Sequence, residues 1–82
     1  MAAGSRKRRI VRVYFLAGSP VVARADWDLD IEDSVGQDHT DAHGSVEANL
    51  GPWATAKLQT LEQVRATLLA LVSALPGHDQ VS

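Results

Sequence analysis

The chain has 82 residues, no cysteine, 45% apolar residues and a formal net charge of −2. That length makes one domain with a modest core, and the lack of cysteine excludes disulfides or a thiolate metal site as its supplement. No apolar run approaches the roughly 18 residues of a membrane span, and the apolar fraction is that of a folded chain rather than a disordered one.

The charge is segregated. Residues 1–24 carry Arg6, Lys7, Arg8, Arg9, Arg12 and Arg24 and no acid. Residues 25–50 carry Asp26, Asp28, Asp30, Glu32, Asp33, Asp38, Asp41 and Glu47 and no lysine or arginine. Such blocks meet partners outside the molecule or each other inside it. The basic start followed by "VYFLAGSPVVARA" imitates a secretion leader ending at Ala23–Ala25. Arg12 and the Gly18-Ser19-Pro20 turn interrupt its apolar region, so the expectation is a cytoplasmic chain. The arginine and alanine bias suggests a bacterial or phage origin.

In chain order, residues 1–8 read as a flexible basic arm and residues 9–31 as a β-hairpin. "IVRVYFLA" is rich in β-branched and aromatic residues, and "GSP" is turn chemistry. In "VVARADWDLDI" the residues Val21, Ala23, Ala25, Trp27, Leu29 and Ile31 alternate with Val22, Arg24, Asp26, Asp28, Asp30 and Glu32. Period two over this length is a half-buried antiparallel strand. The hairpin register sets Phe15 opposite Ala23, Val13 opposite Ala25 and Val11 opposite Trp27. Its other face sets Tyr14 opposite Arg24 and Arg12 opposite Asp26, and brings Arg8 towards Asp30. A slip of one residue would turn Arg12 into the apolar face.

Residues 32–44 read as a polar loop, and residues 45–50 as a third strand with Val46, Ala48 and Leu50 on one face. Residues 52–75 read as a helix. Pro52 suits its first position and Pro76-Gly77 its end, while Thr60 with Gln63 forms a capping box that competes as the start. Leu61, Val64, Leu68, Leu71, Val72 and Leu75 follow helical spacing, widened by Leu58 and Leu69. Trp53 reads as a core or staple residue. Residues 76–82 read as a frayed tail. The expected fold is α+β: an antiparallel hairpin or three-stranded sheet with one amphipathic helix packed on it.

No motif carries chemistry. In "DHTDAHG" the residues His39 and His43 are four apart, which on a helix would put two imidazoles on one face. Gly36 and Gly44 flank the segment, so a solvated loop is the simpler reading, and no metal or cofactor is expected. "DWDLDIED" lacks the glycine of a calcium loop, since its sixth position is Ile31. Ser19, Ser34, Ser45 and Ser73 have no nucleophile-elbow context.

The function expected is therefore that of a non-enzymatic protein–protein interaction module, a homodimer or the small subunit of an assembly. A helix as apolar as Ala66–Leu75 is normally covered on more than one side, so the association surface is expected on Leu61, Val64, Leu68, Leu71, Val72 and Leu75. The alternative is an accessory protein that grips nucleic acid through Arg6, Lys7, Arg8 and Arg9 by releasing counterions. The acidic total and the lack of a basic helix face speak against it.

Overall fold

The computed structural model describes residues 5–32 and 38–81, apart from the side chains of Glu32, Asp38, His39 and Asp41. It has an α+β fold with the elements β1 (Arg6–Leu16), β2 (Val21–Glu32), β3 (Asp38–Gly51), α1 (Trp53–Ala56), α2 (Leu61–Ser73) and β4 (Gln80–Val81). The sheet order is β3-β2-β1-β4, and α2 packs across it. β1, β2 and β3 are antiparallel neighbours, as expected of the hairpin and third strand, while β4 adds a short parallel pairing to β1. The body is elongated, 53 × 17 × 16 Å, because the strands run well past the helix.

The alternation of residues 21–31 produces the core face. Val21, Ala23, Ala25 and Leu29 are buried on β2, with Ala48 and Leu50 beside them on β3. The small alanines let the helix approach closely, and Val64, Leu68 and Val72 fill the space at intervals of one helical turn. Leu68 and Val72 are the largest fully buried side chains, so the core is thin. The association stripe expected on the helix is thereby divided. Val64, Leu68 and Val72 are taken up by the chain's own core, Leu75 is half-buried, and Leu61 and Leu71 remain exposed.

The expected helix over 52–75 is two helices. Thr60 is extended, accepts a hydrogen bond on Oγ1 from the Gln63 amide (3.1 Å), and donates its own amide to Gln63 Oε1 (2.9 Å). These reciprocal bonds satisfy two donors that a continuous helix would leave to its own ladder, so α2 starts afresh there. Leu58 falls in the break, out of the helical stripe, and is 75% exposed. α2 ends at Ser73, short of Pro76, as the steric demand of proline on its predecessor requires.

Three boundaries differ at the strands. β1 begins at Arg6, inside the expected flexible arm, because β4 pairs with Lys7 and Arg8. The tail is not frayed there: Asp79 donates its amide to the Arg6 carbonyl (2.7 Å) and accepts from the Arg6 amide on Oδ2 (2.9 Å). β3 extends back to Asp38, into the expected polar loop, since the length of β2 offers a backbone ladder that needs no apolar side chains. The remainder of that loop, residues 33–37, lies outside the described residues.

The hairpin register is the expected one from Leu16 to Arg12 and then shifts. Arg12 pairs with Asp26, but Ile10 rather than Val11 lies opposite Trp27. Val11 is bulged out and 48% exposed. Beyond the bulge every side chain of β1 changes face. Arg8 therefore lies opposite Leu29 on the core side, not beside Asp30, and Arg9 takes its place.

Candidate protein-interaction site

Charge on the outer face of the sheet is largely matched within it. Arg12 holds Asp26 through Nη2 (2.8 Å) and Nε (3.0 Å), and its guanidinium lies 4.6 Å from the Tyr14 ring centroid. The hydrogen bond and charge of Asp26 hold the Arg12 pKa above its ordinary value. Arg9 meets Asp30 (3.2 Å), and Arg24 meets Glu47 (3.5 Å) while donating to Ser45 Oγ (3.1 Å). Of the candidate nucleic-acid residues, Arg6 and Lys7 are exposed, Arg9 is paired with Asp30, and Arg8 is buried.

Arg8 is 5% exposed and faces the C-terminal end of α2. Its Nη1 donates to the Leu75 carbonyl (3.1 Å) and to His78 Nδ1 (2.8 Å), and its Nη2 to the Pro76 carbonyl (3.0 Å). A guanidinium cannot accept, so Nδ1 is the acceptor in this contact. The helix C-terminus is the negative end of the macrodipole, which favours a cation there without a carboxylate. The guanidinium carbon lies 4.4 Å from the Trp27 ring centroid, within cation–π range. Among the described residues, Arg8 Nε and Trp27 Nε1 have no hydrogen-bond partner.

One uncovered apolar surface lies at the hairpin-turn end of the sheet. Phe15, Val21, Leu50, Trp53, Ala56, Lys57, Gln59, Leu61 and Val64 line a groove of about 720 Å³ between β1, β3 and the start of α2. Trp53 is 67% exposed and Leu61 65%, so the expectation that Trp53 is a core residue is corrected; Ala56 is the residue of α1 that turns inward. Leu58 stands between the lining residues Lys57 and Gln59. Sequence reasoning missed Phe15 and Trp53 as surface residues. An aromatic in a strand or beside a helix start reads as core until the opposing surface is known.

Among the described residues, a second open surface is the outer border of β3, which forms one end of the sheet. His43, Ser45, Glu47 and Asn49 project on its outer face and are exposed. His39 and His43, considered above as a helical pair, lie on this strand instead. Among the described residues there is no cluster of three or more metal-ligating side chains, and no helix is long and apolar enough to cross a membrane.

Comparison of the chain with family models, with curated proteins and with solved structures finds no match.

Proposed function

We propose that this protein is a non-enzymatic interaction module that acts by binding a second copy of itself. The observation that carries the reading is the groove beside Phe15, Trp53 and Leu61, which leaves large apolar side chains in water on a chain with a thin core. Contiguous exposed apolar surface rimmed by polar residues marks association sites. Among the described residues lining it, Lys57 is the one titratable side chain, so no acid and base converge among them. A second copy is a fitting occupant because the same surface supplies both a depression and projecting side chains, Trp53 and Leu61. That is the requirement of a two-fold, self-complementary contact.

The nucleic-acid reading has less support, since Arg8 and Arg9 are engaged within the fold. Sedimentation of the purified chain at micromolar concentration tests the proposal. The expected mass is twice the 8.8 kDa of the chain. Trp53→Asp should shift the equilibrium to monomer while leaving the circular dichroism unchanged. A wild-type chain that stays monomeric at high micromolar concentration would remove the reading.

A further inference from the structure

We infer that the second copy docks along the open border of β3, with the two β3 strands pairing antiparallel about a two-fold axis at Ser45. The inference rests on the self-association proposed above and names its place and register.

A strand at the border of a sheet presents unpaired backbone donors and acceptors, and natural proteins usually blunt it. The β1 border is blunted: β4 covers Lys7 and Arg8, Val11 is bulged, and Arg9 and Arg12 stand along it. The β3 border is not. From Ala42 to Asn49 it pairs residue for residue with β2, and irregularities at Asp41 and Leu50 bracket this stretch. It contains no proline and no lysine, and its core-side positions are Ala42, Gly44, Val46 and Ala48, all uncharged.

Side chains directly opposite each other in an antiparallel pair share a face, so a self-paired strand must be centred on a residue rather than between two. Within Ala42–Asn49, centring on Ser45 or on Val46 keeps the longest overlap. Centring on Ser45 places His43 of each copy opposite Glu47 of the other, with Ser45 opposite Ser45 between them. On the core side it sets Gly44 against Val46 and Ala42 against Ala48. Centring on Val46 separates His43 from Glu47 and sets Glu47 against Ser45. Centring on Glu47 puts two carboxylates face to face. The first register alone places a nitrogen donor opposite each carboxylate, and does so twice by symmetry. Glu47 is available for this, since its side chain is 52% exposed and meets Arg24 at 3.5 Å through Oε1.

The two open surfaces are continuous. Leu50 belongs to β3 and also lines the groove. In the Ser45 register the regular pairing runs to Ala48, so it ends next to the segment from Leu50 to Trp53 that lines the groove. An axis normal to the sheet keeps both copies of α2 on one side, so the sheet continues across the dimer.

The chain has no cysteine, so single-cysteine variants report the register directly. Under mild oxidation Ser45→Cys should form a covalent dimer, while Val46→Cys and Asn49→Cys should not. Glu47→Lys should raise the dimer dissociation constant about tenfold, the change that about 1.4 kcal/mol makes, and His43→Asp combined with Glu47→Lys should recover most of it. Both variants must keep the wild-type circular dichroism. Cross-linking at Val46 instead of Ser45 overturns the register. A dimer whose cross-linking and affinity ignore all these positions overturns the docking border but leaves self-association standing. A wild-type monomer overturns both.

Discussion

Gly44→Ala is a small change that the packing around Trp27 makes costly. Gly44 lies directly opposite Trp27 across β2 and β3. A methyl group there would stand 2.6 Å from Cζ2, 2.9 Å from Cε2 and 3.3 Å from Cη2 of the indole. Carbon atoms rest near 3.5–4.0 Å, so the ring would have to retreat by about 1 Å. It is a rigid ring with the Arg8 guanidinium stacked at 4.4 Å, so the movement is passed on to the bonds Arg8 makes at the end of α2. Overpacking of this kind costs about 1–3 kcal/mol. For a domain of this size each kcal/mol is worth about 4–8 °C in Tm. Urea denaturation followed by far-ultraviolet circular dichroism measures the loss. The decisive control is Trp27→Phe, which removes the outer carbons of the indole that meet the new methyl. In that background Gly44→Ala should be neutral or slightly stabilising, because alanine restricts the unfolded chain more than glycine. Equal stability of wild type and Gly44→Ala, or the same loss in both backgrounds, would refute the account of the Trp27 contact.

Arg8→Lys keeps the charge but cannot bond the Leu75 and Pro76 carbonyls and stack on Trp27 together; it should cost about 1–3 kcal/mol in urea denaturation. Arg6→Ala with Lys7→Ala, both exposed, should leave the midpoint nearly unchanged in the same assay. Arg12→Glu should lower Tm at low salt and less at high salt, and adding Asp26→Arg should restore part of the loss, because the pair at 2.8 Å is rebuilt with reversed sign. Thr60→Ala removes the side-chain half of the capping box and should cost about 1 kcal/mol, visible as a lower thermal midpoint by circular dichroism.

The parts of this fold legible in the sequence are those decided by neighbours a few residues away. The alternation of Val21 to Ile31 announces β2, the turn chemistry at Gly18–Pro20 sets the register as far as Arg12 and Asp26, and Thr60 with Gln63 marks the start of α2. Period, turn and cap are local, so the residues that make them carry the whole signal.

What only the tertiary structure decides depends on surfaces that meet from far along the chain. "IVRV" reads as unbroken alternation, yet Val11 is bulged, and Arg8 crosses to the core side where Leu75, Pro76 and His78 receive it. Those partners lie 67 to 70 residues away, beyond the reach of any local pattern. β4 is two residues long and exists because Arg6 and Asp79 bond backbone to backbone. The helical leucines show the same division. Their spacing foretells a stripe, but the sheet is narrow and lined with alanine, so it covers Val64, Leu68 and Val72 and leaves Leu61 in water. How much of an apolar stripe is buried is set by the width of the surface opposite it, and that width is a property of the assembled sheet rather than of the helix sequence.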